Sequence, residues 1–164
     1  MRELILLRHA HAEPAAPGQA DIDRPLSLQG QAEAEAAGAW LRDHGYIPDR
    51  IVSSTARRTR ETTELAMAAL GYVEQRQDER VYDATPGRLM QVVDDHRDIS
   101  RVLLVGHNPG FEQLTHVLCG TTPSYPTAAL GTIELDVDTW QEVTLGSGRL
   151  VDHVTPAQLR ERKA

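Results

Sequence analysis

A single cysteine, Cys119, occurs among the 164 residues. An intramolecular disulfide is therefore excluded, and the fold needs no oxidising compartment. Aromatic residues are scarce, at 4%, so alanine and leucine must supply much of the packing. Positive charge is in deficit: 17 Lys and Arg face 24 Asp and Glu, a net charge of −7. That balance argues against broad attraction to nucleic acid or an anionic membrane, and neither is expected as a partner. Long apolar runs are also missing. The opening MRELILLRHAHAE holds only four consecutive apolar residues before Arg8, too few for a signal-peptide core or a membrane span, which implies a cytoplasmic protein.

Several phosphate and nucleotide motifs are missing too. No G-x-x-x-x-G-K-[ST] loop occurs, which removes P-loop nucleotide hydrolysis. Gly146-Ser147-Gly148 lacks the further glycine and the strand-to-helix setting of a dinucleotide loop. Cys119 is followed six residues later by Tyr125 and not by arginine, which disfavours a cysteine-based phosphatase.

What is present is ordinary in bulk and specific in detail. Hydrophobic residues make up 40% and charged residues 25%, as in a globular protein whose length, 1–164, suits one domain. No internal repeat stands out, and residues 14–25, rich in Pro, Gly, Ala and Asp, read as a loop. Leu4-Ile5-Leu6-Leu7 and Val102-Leu103-Leu104-Val105 are continuous apolar runs, the signature of strands buried on both faces. Ile51-Val52-Ser53 reads as a shorter strand.

A helix is expected from Leu28 to Asp43, with Leu28, Ala32, Ala36 and Trp40 inward, Ala37 and Leu41 beside them, and Glu33, Glu35 and Arg42 outward, between a Ser27 cap and a Gly45 terminator. Further helices are expected near 57–70, with Leu65, Ala66, Ala69 and Leu70 inward, near 86–96 after a Thr85-Pro86 start, and at 109–119 after Asn108-Pro109. The last third turns to β character at Thr132–Val137, Glu142–Leu145 and Leu150–Val154. Thr155-Pro156-Ala157-Gln158 has the form of a capping box. Alternating strands and helices predict an α/β fold: one open, mostly parallel sheet with helices on both faces and ligands at the carboxyl ends of its strands.

Those strand ends carry the chemistry. Arg8-His9 follows the first apolar strand, Gly106-His107-Asn108-Pro109 follows another, and Ser53 through Thr62, with Arg57, Arg58 and Arg60, follows a third. Phosphoryl transfer needs positioning and electrostatic stabilisation above all. Arginine forks suit phosphate oxygens, a helix starting at Pro109 adds its dipole and free N–H groups, and a neutral imidazole can be the nucleophile. His9-Ala10-His11 also has the form of a metal-binding pair, but it lacks further ligands, and the (β/α)₈ metallohydrolases with that pattern need a longer chain.

These motifs resemble the histidine phosphatase superfamily, and within it the short SixA-type phosphohistidine phosphatases. LILLRHAHAE resembles the family's strand and Arg-His signature. Ser54, Arg58 and Thr62 match its second arginine motif, Leu104 to Pro109 its second histidine motif, and Asp23-Arg24-Pro25-Leu26-Ser27 with Gly30 the SixA-type loop. The match spans residues 3–157, a minimal phosphoglycerate-mutase-like form without cap insertions.

The resemblance implies that His9 forms a phosphohistidine intermediate, that Arg8, Arg58 and His107 hold the phosphoryl oxygens, and that no cofactor or metal is needed. Arg24 either reaches the phosphate or pairs with Asp21 or Asp23. Larger relatives place a glutamate acid after a middle strand, and no clear equivalent exists here. Asp83 is the first candidate and Glu79 the second. A weak acid suits phosphohistidine, whose protonated imidazole leaves more easily than an alkoxide. The expected partner is a phosphorylated substrate, a phosphohistidine-bearing protein among the candidates. A mutase or broad phosphomonoesterase and a non-catalytic phosphopeptide-binding module are the alternatives.

Overall fold

A computed structural model describes residues 1–163. One six-stranded sheet runs through it, formed by β1 (Arg2–Arg8), β2 (Arg50–Ser53), β3 (Gln75–Gln77), β4 (Arg101–Gly106), β5 (Leu130–Leu135) and β6 (Gly148–Val154). The order is β3-β2-β4-β1-β5-β6. The first four strands pair in parallel, and β5 and β6 join antiparallel at one edge. Leu4, Ile5, Leu6 and Leu7 are all fully buried, because they alternate between two covered faces. Burial of each such side chain is worth roughly 1.5–3 kcal/mol.

The helices are α1 (Leu28–Asp43), α2 (Arg57–Leu70), α3 (Pro86–Asp94), α4 (Gly110–Cys119) and α5 (Pro156–Lys163). Ile5, Leu7, Leu103 and Val105 pack with α1, α2 and α5 on one face. Leu4, Leu6, Val102 and Leu104 pack with α3 and α4 on the other. The expected caps form: Ser27 Oγ accepts the Gly30 amide at 3.0 Å, and Thr155 and Gln158 satisfy each other's amides reciprocally.

Helix faces differ from the expected ones. In α1, Ala37, Trp40 and Leu41 are buried as expected, but Leu28 is 83% exposed, Ala32 is exposed, and Glu33, Ala34 and Gly38 are buried instead. Alanine-rich periodicity fixes a helix without fixing its rotation. Here rotation is set by close approach to α2, where a Cβ on Gly38 would run into the backbone of Ala66. Glu33 is tolerated inside because its carboxylate meets Arg160 at 3.5 Å and Gln29 at 3.2 Å. In α2 the buried face is Arg58, Thr59, Thr62, Thr63 and Ala66, and of the four residues expected inward only Ala66 is buried.

Two β readings also change. Glu142–Leu145 is no strand: Trp140–Glu142 form a 3-10 turn that seats the Trp140 indole in the core, its Nε1 donating to the carbonyls of His96 and Ile99. β3 was not anticipated, since Gln75, Arg76 and Gln77 are exposed on the sheet edge.

Candidate active site

The insertion of β4 between β1 and β2 brings three strand ends to one rim. Arg8 closes β1 with His9 next to it, Ser54 follows β2, and His107 follows β4. The His9 amide donates to the Gly106 carbonyl at 2.9 Å, and the Ser54 amide to Val105 at 3.1 Å, so both departing loops are fastened to β4. At this rim lies a cleft of about 430 Å³ to which Arg8, His9, Arg24, Arg58, Asp83 and His107 all contribute.

His9 is buried, and its Nδ1 lies 2.8 Å from the Ala10 carbonyl. A carbonyl only accepts, so Nδ1 carries the hydrogen and Nε2 keeps its lone pair. Burial, reinforced by the nearby Arg58, Arg8 and Arg24 charges, lowers the His9 pKa to about 4. The imidazole is thus neutral at pH 7, as a nucleophile must be.

His107 lies with its ring 5.2 Å from that of His9. Its Nε2 contacts Ser54 Oγ at 2.7 Å, and Ser54 Oγ contacts Thr59 Oγ1 at 2.6 Å. Hydroxyls both donate and accept, so this relay can serve either tautomer or the protonated ring. Burial, with the His9 and Arg58 charges, lowers the His107 pKa to about 3. An arriving phosphoryl dianion opposes that shift and draws a proton onto the ring.

The two motif arginines share one arrangement. Arg8 Nη1 donates to the Tyr125 carbonyl at 2.9 Å, and Arg58 Nη1 donates to the Asp21 carbonyl at 2.8 Å. In both, Nε is buried without a partner. Both guanidiniums line the cleft, and their planar forks suit an oxyanion there.

The remaining expectations divide. Arg24 pairs with Asp21, Nη1 to Oδ1 at 3.0 Å, one of the expected arrangements, and it also lines the cleft. Asp83 lines the cleft at a backbone φ of 53°, a left-handed conformation that aspartate, like asparagine, adopts more readily than most residues. Glu79 instead begins a 3-10 turn at Glu79–Val81 and does not reach the cleft. α4 starts one residue later than expected, after Pro109. Its Phe111 and Glu112 amides are taken by the His107 carbonyl and Asn108 Oδ1, so these are not free for a ligand as the sequence suggested. Of the His-x-His pair, His11 turns its Nδ1 to Ser27 Oγ at 2.7 Å. Among the described residues no group of three or more His, Cys, Asp or Glu side chains is arranged to hold a metal.

The family model of the histidine phosphatase superfamily (branch 1) matches residues 4–98. The chain belongs to the histidine phosphatase superfamily. An uncharacterized chloroplastic protein of Arabidopsis thaliana is 32% identical over 158 residues, covering 90% of this chain and 72% of that one. A solved chain assigned as the phosphohistidine phosphatase SixA of Agrobacterium tumefaciens superposes with TM-score 0.83 at 31% identity, covering 94% and 98%. The protein histidine phosphatase SixA in its tungstate complex also gives TM-score 0.83, at 22% identity over 96% and 99%, a likeness of fold. Superfamily and neighbours together support a phosphatase.

The sequence reading of this superfamily member offered Asp21 as a partner of Arg24 but not its contact with Arg58, and it gave Tyr82 no role. Asp21 bridges Arg24 and Arg58, and Tyr82 donates its hydroxyl to Asp21 Oδ2 at 2.5 Å while its ring stands edge-on to His107. Neither lies in a periodic segment, and Asp21 and Tyr82 are 61 positions apart. The Tyr82, Arg24 and Arg58 contacts hold the Asp21 carboxyl well below the usual carboxylate range.

Proposed function

We propose that this protein is a metal-independent phosphatase that works through a phosphohistidine at His9 and acts on phosphohistidine in a protein or on another phosphomonoester. The observation that carries the reading is the convergence of a neutral His9, its Nδ1 occupied by Ala10, with Arg8, Arg58 and His107 on one cleft. In the first step His9 Nε2 attacks phosphorus, the P–N bond forms, and the bond to the leaving group breaks. Arg8, Arg58 and His107 hold the phosphoryl oxygens as charge redistributes. Asp83 gives its proton to the leaving atom. In the second step water attacks phosphorus, the P–N bond to His9 breaks, and Asp83 recovers a proton from the water.

The substrate class is supported by the SixA neighbours.

Incubation with a ³²P-labelled phosphodonor tests the mechanism. Wild type is expected to form an acid-labile, alkali-stable phosphoenzyme and His9→Ala to form none. Labelling that persists in His9→Ala overturns it. Turnover of phosphohistidine protein against aryl and sugar phosphates then ranks the substrates.

A further inference from the structure

The best-satisfied carboxylate in the cleft belongs to the protein itself. Asp21 Oδ1 accepts from Arg24 Nη1 at 3.0 Å, and Oδ2 accepts from Arg58 Nη2 at 3.0 Å and from the Tyr82 hydroxyl at 2.5 Å. Two guanidiniums and a phenol converging on one carboxylate form the donor set that a phosphoryl group entering the cleft needs. All four residues line the same cleft as His9 and His107.

Asp21 is also placed to leave. Its side chain is 51% exposed while that of Arg58 is 7% exposed, so withdrawing the carboxylate into water costs far less than uncovering the arginine. It sits in a 3-10 turn, Asp21–Asp23, within an exposed loop. That loop is clasped at its base by the Ala12–Leu26 bridge and by the Glu13 amide on the Pro25 carbonyl at 2.9 Å. Arg58 Nη1 also holds the Asp21 backbone carbonyl at 2.8 Å, so the turn can stay in place while the carboxylate alone swings out.

We infer that Asp21 is an internal competitor for the phosphate subsite: its carboxylate occupies the Arg24, Arg58 and Tyr82 donors in the empty cleft, gives them up to the phosphoryl group, and returns to expel product phosphate. The inference rests on the phosphatase reading only in taking phosphate as the ligand. Asp21 so used keeps two arginines, Arg24 and Arg58, available without leaving an anion trap. With Asp21 and Asp83 set against Arg8, Arg24 and Arg58, the cleft carries a small net positive charge, and removing one carboxylate raises it.

The test is the sign of a change in affinity. A residue that merely positions Arg58 weakens phosphate binding when altered, whereas a competitor strengthens it. Inorganic phosphate binding to the full chain is measured by calorimetry and by its Ki against an aryl phosphate, for wild type, Asp21→Asn and Asp21→Ser. Both variants are expected to bind phosphate about tenfold more tightly or better, the equivalent of about 1.4 kcal/mol. Their melting temperatures should rise more steeply with added phosphate than that of wild type. Phosphate binding that is equal or weaker in both variants overturns the inference and leaves the phosphatase reading intact. Binding in neither wild type nor variants overturns both.

Discussion

The hydroxyl of Thr62 accepts the backbone amide of Ala10 at 3.0 Å, tying α2 to the residue next to His9. The same Oγ1 donates to the Arg58 carbonyl at 2.7 Å. One buried hydroxyl therefore couples the segment of the proposed nucleophile to the helix turn that carries Arg58. This gives a physical reason for the Ser54, Arg58 and Thr62 spacing. Ser54 contacts His107, Arg58 lines the cleft as a proposed phosphate ligand, and Thr62, one turn on, holds the segment of His9.

Thr62→Val keeps the volume and removes the hydroxyl, leaving the Ala10 amide buried without an acceptor. A loss of about 1–3 kcal/mol in stability is expected, along with a fall in kcat of about tenfold or more as His9 loosens. Thr62→Ser, which keeps the acceptor, should restore most of both. Thermal melts and steady-state kinetics on the two variants check this. Equal damage in Val and Ser variants would assign Thr62 to packing alone.

The histidines make a pH prediction with a definite sign. The unfolded chain protonates imidazole near pH 6.5, whereas folded His9 and His107 do so at about 4 and about 3. Between about 6.5 and those values the unfolded state binds more protons, so stability falls as pH is lowered through this window. The melting temperature should decline from pH 7 toward pH 4, and His9→Gln with His107→Gln should flatten the decline. The acid limb of kcat/KM is expected near pH 4, where free His9 gains its proton. A limb near pH 6.5 would mean that His9 is not desolvated as the structure has it.

Chelation is expected to leave turnover unchanged. The imidazole Nδ1 atoms of His9 and His11 are committed to Ala10 and Ser27, and the arginines supply the positive charge. Activity after EDTA treatment and exhaustive dialysis, compared with untreated protein, checks this. A loss restored by a divalent cation would point to metal chemistry at His9 and His11.

How far the sequence carried the reading depends on the kind of signal. β1 and β4 were legible because strands buried on both faces must be continuously apolar. The order of the Arg-His, arginine and second-histidine motifs brought Arg8, His9 and His107 to strand ends and Arg58 to the start of α2, all on one cleft. Edge strand β3 left no signal, since Gln75–Gln77 bury nothing. The rotation of α1 was misread because alanines sit equally well on either face, and the decision falls to the contact of Gly38 with α2. The Arg58 contact of Asp21 and the role of Tyr82 were out of reach for another reason. Both come from contacts across the fold, and a polar residue in a loop carries no periodicity to betray its partners.

Asp83 is the proposed proton donor, and leaving-group dependence can isolate that role. Its backbone is held at φ 53° beside Tyr82, so the side chain is presented to the cleft at a conformational cost. A general acid matters in proportion to the basicity of the leaving atom. Aryl phosphates, which depart as weakly basic phenolates, need little help, and alkyl phosphates need much. Asp83→Asn is therefore expected to lower kcat/KM for alkyl phosphates by about 10²-fold or more and to spare aryl phosphates to within a few-fold. Phosphohistidine, already protonated on its ring, should behave like the aryl compounds. A uniform loss across all three substrates would place Asp83 in binding. No loss on any would leave the leaving group to find its proton in water.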